Sequence, residues 1–286
     1  MGWTLTGDLD EYAAAAEGFL RADAVRNTVP LAVLDTLRVR GLDAYGEEPP
    51  AFGWWHDGDA VAGILSHTPP YPLYLSQVPA GAVHEAVRLL AGRPSRPEGI
   101  HADQPVAEEF ASAWTRVAGG TSRVEMRQRL YRLEGLRTPE PPPEGKPRLA
   151  TEADRDLVLA WHEAFRRESD GVFGVGAIDD RIAHRGFVLW EAGGTTVSLA
   201  GRTRVVEGMA RIGPVYTPPE HRRRGFGAMA TAAVTEAALE AGARDVVLFT
   251  DLANPTSNGI YQELGYRPVT DRLVLAFEPP TESAEG

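Results

Sequence analysis

Residues 210–227 read ARIGPVYTPPEHRRRGFG, and the fold turns on this stretch. Ala210 to Thr217 is a strand-like run interrupted by Gly213 and Pro214. Proline donates no ladder hydrogen bond, and a glycine inside a strand marks a bulge or a close backbone approach. The strand is therefore expected to pull away from one neighbour near Gly213-Pro214, leaving backbone groups unpaired beyond it. Pro218-Pro219-Glu220 closes it. Arg222-x-x-Gly225-x-Gly227 then runs directly into a helix, with Phe226, Met229, Ala233, Val234, Ala237 and Leu239 on its inner side and Gly242 as its stop. Glycines at a helix start leave unpaired N–H groups open to a bulky anion at the positive end of the dipole. Adjacent arginines add charge and forked donors for phosphate.

Downstream, Asp245-Val246-Val247-Leu248-Phe249 is a continuous apolar run, the pattern of a strand buried on both faces. It ends in Thr250-Asp251-Leu252-Ala253-Asn254-Pro255, where Asn254 reads as an N-cap and Pro255 as a first-turn proline. A short helix follows to Leu264, and Gly265 ends it. Tyr261 lies about two turns along from Asn254.

This order of strand, glycine turn, helix, strand and capped short helix resembles the GNAT N-acetyltransferase superfamily, which binds acetyl-CoA. The resemblance covers Arg148 to Pro279, and its specific parts are RRRGFG (222–227) and NPTSNGIYQELGY (254–266). It implies that Arg222, Arg223, Arg224, Gly225, Phe226, Gly227 and Ala228 hold the CoA pyrophosphate, largely through main-chain amides. It also implies that the pantetheine arm pairs with Val215, Tyr216 and Thr217 of the splayed strand. Asn254 maps onto the asparagine that contacts the cofactor arm, with Asn258 one turn on as a second polar group. Tyr261 maps onto the tyrosine near the sulfur. The corresponding fold is α/β, with a mostly antiparallel, twisted mixed sheet, a splayed central strand and flanking helices.

The N-terminal half repeats the pattern without the motif. RTPEPPPEGKPR (137–148) is a proline-rich break, read as a semi-rigid spacer. It divides the chain into a first domain at 1–136, a linker at 137–147, a second domain at 148–280 and a polar, fraying tail at 281–286. Each half opens with a short strand, an acidic cap and an amphipathic helix. Each then has two apolar strands around a tight turn, His56-Asp57-Gly58-Asp59 in one and Ala192-Gly193-Gly194 in the other. After Val78-Pro79, however, the first half reads AGAVHEAVRLLAG with no Arg-x-x-Gly-x-Gly, and Trp114 stands where a functional copy would keep tyrosine. Two tandem GNAT-like domains are thus expected, the N-terminal one degenerate, with one cofactor site in the C-terminal one.

Composition narrows the chemistry. The chain has 286 residues, no cysteine, and a single lysine, Lys146, among 29 lysines and arginines. Thiol nucleophiles, thiolate metal sites and disulfides are excluded, and a Schiff-base or Walker-type lysine is disfavoured. No metal site is expected. A net charge of −11 disfavours nucleic acid and anionic membranes as partners. The absence of a signal-like start and of about 18 uninterrupted apolar residues points to a cytoplasmic protein.

The expected activity is direct acetyl transfer from acetyl-CoA to a primary amine of a small molecule or peptide, with no acyl-enzyme. Tyr261 is the proton donor to the leaving thiolate. The base is open: Glu207 is one candidate, although Val206-Glu207-Gly208 also reads as a hairpin turn, and Ser198 is another, holding a relay water. His162 and His184 read as helix-face residues, Trp54 and Trp55 as strand-face core or a wall of the acceptor pocket. Acceptor specificity is expected from Asp170 to Arg185 and the first domain. The alternative is an acyl-CoA-binding sensor or scaffold without turnover. Oligomeric state is not legible.

Overall fold

A computed structural model describes residues 1–168 and 178–280. The tail 281–286, and residues 169–177 of the segment expected to set acceptor specificity, lie outside the described residues. In chain order the elements are β1 (Gly2–Thr6), α1 (Leu9–Ala22), α2 (Thr28–Arg40), β2 (Ala51–Asp57), β3 (Ala60–His67), β4 (Leu73–Leu75), α3 (Ala82–Ala91), β5 (Gly99–Asp103), α4 (Gln104–Ala118) and β6 (Thr121–Leu133). There follow β7 (Lys146–Leu149), α5 (Arg155–Glu168), α6 (Ile178–Ala183), β8 (Phe187–Ala192), β9 (Thr195–Arg202), β10 (Met209–Tyr216), α7 (Phe226–Glu240), β11 (Asp245–Asp251), α8 (Pro255–Glu263) and β12 (Tyr266–Glu278). The architecture is mixed α/β with a mostly antiparallel sheet, as the sequence predicts.

Two compact units divide the chain. Among the described residues, one comprises Met1–Asp23, Val29–Gln128 and 271–280; the other comprises Ala24–Thr28 and the described part of Arg129–Thr270. The strands β6 and β12 therefore each begin in one unit and end in the other.

In the first unit, β1 to β5 follow one another in the sheet and β12 pairs antiparallel with β5, Leu273 opposite Ala102. The β2–β3 hairpin turns at Gly58 (φ +64°), as its Asp-Gly signal requires. Leu73, Val83, Val87, Ile100, Phe110, Trp114 and Leu273 share its core. Trp114 stacks on Phe277, ring centroids 5.4 Å apart, so it is a packing residue here. Trp54 and Trp55 on β2 are buried too.

In the second unit the strand order is β6-β11-β10-β9-β8-β7. Only β10 and β11 run parallel among the pairs beside β10, and their register is Met209 with Asp245 to Ile212 with Leu248. The β8–β9 hairpin closes through Gly193 (φ +58°) and Gly194 (φ +78°), the left-handed pair that a two-residue turn needs. One prediction needs correcting. Helix α7 is buried around most of its circumference, including Thr231 and Thr235, while Leu239, expected on the inner side, is exposed. Its alanines let neighbours approach from several directions, and Thr235 shares a 2.7 Å hydrogen bond with the Tyr266 hydroxyl.

Candidate active site

The site is built where β10 loses a neighbour. Pairing with β11 ends at Ile212, and the register with β9 shifts between Ile212 and Val215. Gly213 (φ +146°) takes a backbone conformation open to glycine, and Pro214 has no N–H to offer a ladder. Val215 and Tyr216 remain paired to β9, opposite Ala200 and Leu199. Their other edge faces the gap opened from β11, as the Gly-Pro interruption predicts. On α6, Arg181 donates to the Gly213 carbonyl at 2.8 Å and so holds the bulge from outside.

Beyond Tyr216 the chain reaches the glycine turn. Arg223 (φ +62°) and Gly225 (φ +82°) are both left-handed, which swings the backbone into α7. Among the described residues no side chain caps α7, so its first-turn N–H groups are left without an intrahelical or capping partner. A Cβ on Gly227 would stand 3.1 Å from Thr217 Oγ1, closer than a side chain normally packs. The proline-rich stretch lies against the same turn: Pro143 approaches the side of Gly225 at 3.5 Å from a would-be Cβ, and Glu144 accepts a long 3.4 Å contact from Arg224.

The three arginines have different surroundings. Arg222 donates through Nε to the Thr217 carbonyl (2.9 Å) and pairs with Glu168. Arg224 lies over the Phe226 ring, 4.7 Å from its centroid. Arg223 is exposed and has no partner among the described residues. Glu168, at the end of α5, also accepts from the Tyr216 hydroxyl at 3.2 Å; burial and this carboxylate push the Tyr216 phenol up. Nothing in the local sequence around Glu168 signals this role, since it depends on how α5 crosses the sheet.

Helix α8 is capped as expected. Asn254 Oδ1 accepts from Ser257 N at 3.0 Å, and its amide nitrogen has no partner among the described residues. Asn258 is instead engaged at both ends. Its nitrogen donates to the carbonyls of Asp251 (2.8 Å) and Asn254 (2.7 Å), and its oxygen accepts from the Tyr131 hydroxyl at 3.0 Å. Tyr131, fully buried on β6, also accepts from Gln262 at 3.1 Å. Tyr261 is half-buried and edge-on to Tyr266, and burial pushes its phenol up to about 12. No hydrogen bond occupies its hydroxyl among the described residues.

Ser198 is fully buried. It bridges the Tyr216 carbonyl (3.1 Å) and the Thr217 hydroxyl (2.9 Å), which places it under the end of β10. Glu207 and Gly208 (φ +52° and +76°) form the tight turn that precedes β10, with Val206 and Met209 exchanging 2.9 Å backbone bonds. The turn stands at the opposite end of β10 from the glycine loop, about 26 Å along the strand from Gly208 to Tyr216 at 3.3 Å per residue. His162 is a buried face of α5, and His184 follows α6.

An acetyltransferase (GNAT) family profile matches residues 141–266, the span of this site. Residues 141–266 are thus similar to a GNAT acetyltransferase domain. Acetyl transfer from acetyl-CoA as co-substrate is the chemistry of that family. Solved structures extend the likeness to the whole fold. A GCN5-related N-acetyltransferase from Sphaerobacter thermophilus aligns over 98% of each chain at 15% identity and TM-score 0.65. One from Kribbella flavida aligns over 88% of this chain and 97% of its own, at 20% identity and TM-score 0.55. A tandem GNAT protein from the clavulanic acid biosynthesis pathway aligns over 98% of this chain and 99% of its own, at 15% identity and TM-score 0.57. No curated protein matches this sequence significantly. Among the described residues no helix is long and apolar enough to cross a membrane, and no group of three or more His, Asp or Glu side chains is placed to hold a metal ion.

Proposed function

We propose that the GNAT domain transfers an acetyl group from acetyl-CoA directly to a primary amine. The observation that carries this reading is the opening of β10 from β11 after Ile212, followed immediately by the uncapped start of α7. The two features fit a ligand with a phosphate end and an amide-bearing arm. The N–H groups of Phe226, Gly227 and Ala228 and the guanidinium of Arg223 hold the phosphates. The free backbone edge of Val215, Tyr216 and Thr217 pairs with the arm, and the unspent amide of Asn254 donates to it. Asn258, fully engaged, positions the start of α8 instead. Arg222, tied to Glu168 and Thr217, shapes the turn and adds field rather than a mobile contact.

Acetyl-CoA, when bound, supplies an acyl group already activated as a thioester, so the chain needs no nucleophile of its own. Tyr261 keeps its proton at any physiological pH and can donate its O–H as a hydrogen bond to the charge that builds on the departing thiolate. An amine that arrives neutral sheds its proton to water, so Ser198 acts by holding β10 in place and Glu207 has no part near the arm. Residues 148–280 form the catalytic domain in this reading, 137–147 a linker resting on its turn, and 1–136 a degenerate copy without a cofactor motif. The test is thiol release from acetyl-CoA against an amine panel, beside CoA titration. Saturable CoA binding with no thiol release on any amine would instead identify a sensor.

A further inference from the structure

We infer that Arg202 binds a carboxylate of the acceptor, so that the amine substrate is also an acid, of the α-amino acid or short-peptide class. This rests on the amine-acetylation reading above. Arg202 ends β9 and stands opposite Ile212, the last β10 residue still paired with β11. It therefore lies one strand away, across β10, from the point where the sheet opens. Only 7% of it is exposed, yet among the described residues the sole hydrogen bond of its side chain runs from Nη1 to the Thr203 carbonyl at 3.1 Å. Its buried Nε has no partner, and among the described residues no carboxylate lies within ion-pair distance. A buried guanidinium is normally paired, because an unpaired buried charge is among the costliest features a fold retains. Burial accordingly lowers its proton affinity.

Among the described residues the surroundings supply donors and no free carboxylate. Asp180, the carboxylate of this corner, is paired with Arg204, and His184 Nδ1 stands 3.5 Å from it. The His184 ring lies against Gly186, where a Cβ would meet His184 Nε2 at 2.6 Å and the Arg202 carbonyl at 3.0 Å. Among the described residues neither ring nitrogen of His184 makes a hydrogen bond. Burial and the fields of Arg204 and Arg202 hold this imidazole neutral, so it can donate one N–H. Arg181, on the same helix as Asp180, already reaches the Gly213 carbonyl. The corner is thus rich in cations within an acidic chain. The CoA phosphates are not its ligand. Five residues of strand separate Ile212 from Thr217, about 16 Å at 3.3 Å per residue. A single forked guanidinium with one neutral N–H beside it matches the two oxygens of a carboxylate.

The full chain saturated with CoA should be titrated calorimetrically with the proteinogenic N-acetyl amino acids and with their C-terminal amides. At least one acid should bind about tenfold or more tightly than its amide. Arg202→Met, which keeps the volume, should bring that acid to the level of the amide, Arg202→Lys should restore part of the preference, and CoA affinity should stay unchanged in both. Equal binding of every acid and amide, or an acid preference that survives Arg202→Met, would overturn the inference. Thiol release from the corresponding free amines separates the two claims. Arg202-dependent acid binding without thiol release keeps the subsite and removes acetylation. Thiol release as fast with amides as with acids keeps acetylation and removes the subsite.

Discussion

Ser198 and Thr217 meet hydroxyl to hydroxyl at 2.9 Å, and the same Thr217 oxygen faces Gly227 across the turn. One buried contact thus fixes where β10 ends relative to where α7 begins. The open strand edge and the N–H cluster of the helix start are held in register by it, which is what a ligand spanning both requires. Gly227→Ala would push a methyl group into Thr217 and shift that register. CoA affinity measured by calorimetry should fall about tenfold, with the circular dichroism spectrum unchanged. Ser198→Ala should cost about 1 kcal/mol in urea unfolding and leave the shape of the pH–rate profile unaltered. A changed profile would return Ser198 to the proton path.

Tyr261 is separable from binding. Replacing it with Phe removes only the hydroxyl, so kcat should fall about a hundredfold while the CoA dissociation constant stays within about twofold. Burial holds the phenol at about 12, so it stays protonated as pH rises and should produce no alkaline loss of rate below about pH 11. An alkaline limb near pH 9 that disappears in Tyr261→Phe would contradict this assignment.

How much of this was legible follows from how local each signal is. The opening of β10, the turn into α7 and the cap of α8 are written in Gly213, Pro214, Gly225, Asn254 and Pro255, residues whose backbone preferences act within a turn or two. Glu168, Tyr131 and Arg202 carry no such mark, because their roles arise only when α5, β6 and β9 are brought to β10 and α8. The same holds for the exchange of segments between units. Thr28 donates to Met209 Sδ at 3.1 Å and its carbonyl accepts from Arg211 at 3.3 Å, a docking that no periodicity in Ala24–Thr28 announces. Glycine spacing marks the turn into α7; it does not distinguish Arg222, already paired, from Arg223, which has no partner among the described residues.

In the first unit the place corresponding to the open wedge is bridged. Asp103, at the end of β5, pairs with Arg272 at 2.9 Å with both side chains almost fully buried, and its other oxygen accepts from Gln77 at 2.9 Å, just past β4. CoA should therefore bind at one site per chain. Removing one partner of such a pair strands the other, so Asp103→Ala should cost about 3 kcal/mol or more in urea unfolding. CoA affinity should not change. A second equivalent of bound CoA in calorimetry would contradict the bridging role.

Acid should weaken the two units in different windows. Burial holds His67 down at about 4, so the unfolded chain takes up its proton first. Stability from this source is full above about pH 6.5 and is lost as pH falls toward 4. Asp154 is held at about 2 chiefly by its hydrogen bonds from Arg148, at 2.7 Å. Its contribution is present above about pH 4 and lost as pH falls through 2. After allowance for solvent screening it amounts to about 1 kcal/mol. Urea unfolding from pH 7 to 2 should show His67→Gln flattening the upper window and Asp154→Asn the lower one.

The most direct test of the central claim is continuous detection of free thiol while the full chain is mixed with acetyl-CoA and a panel of primary amines, with Gly227→Ala and Tyr261→Phe run in parallel. The account predicts amine-dependent thiol release that saturates in acetyl-CoA, weakened through apparent affinity in Gly227→Ala and through turnover in Tyr261→Phe. Thiol release that ignores both substitutions, or a chain that binds no CoA at all, would contradict it.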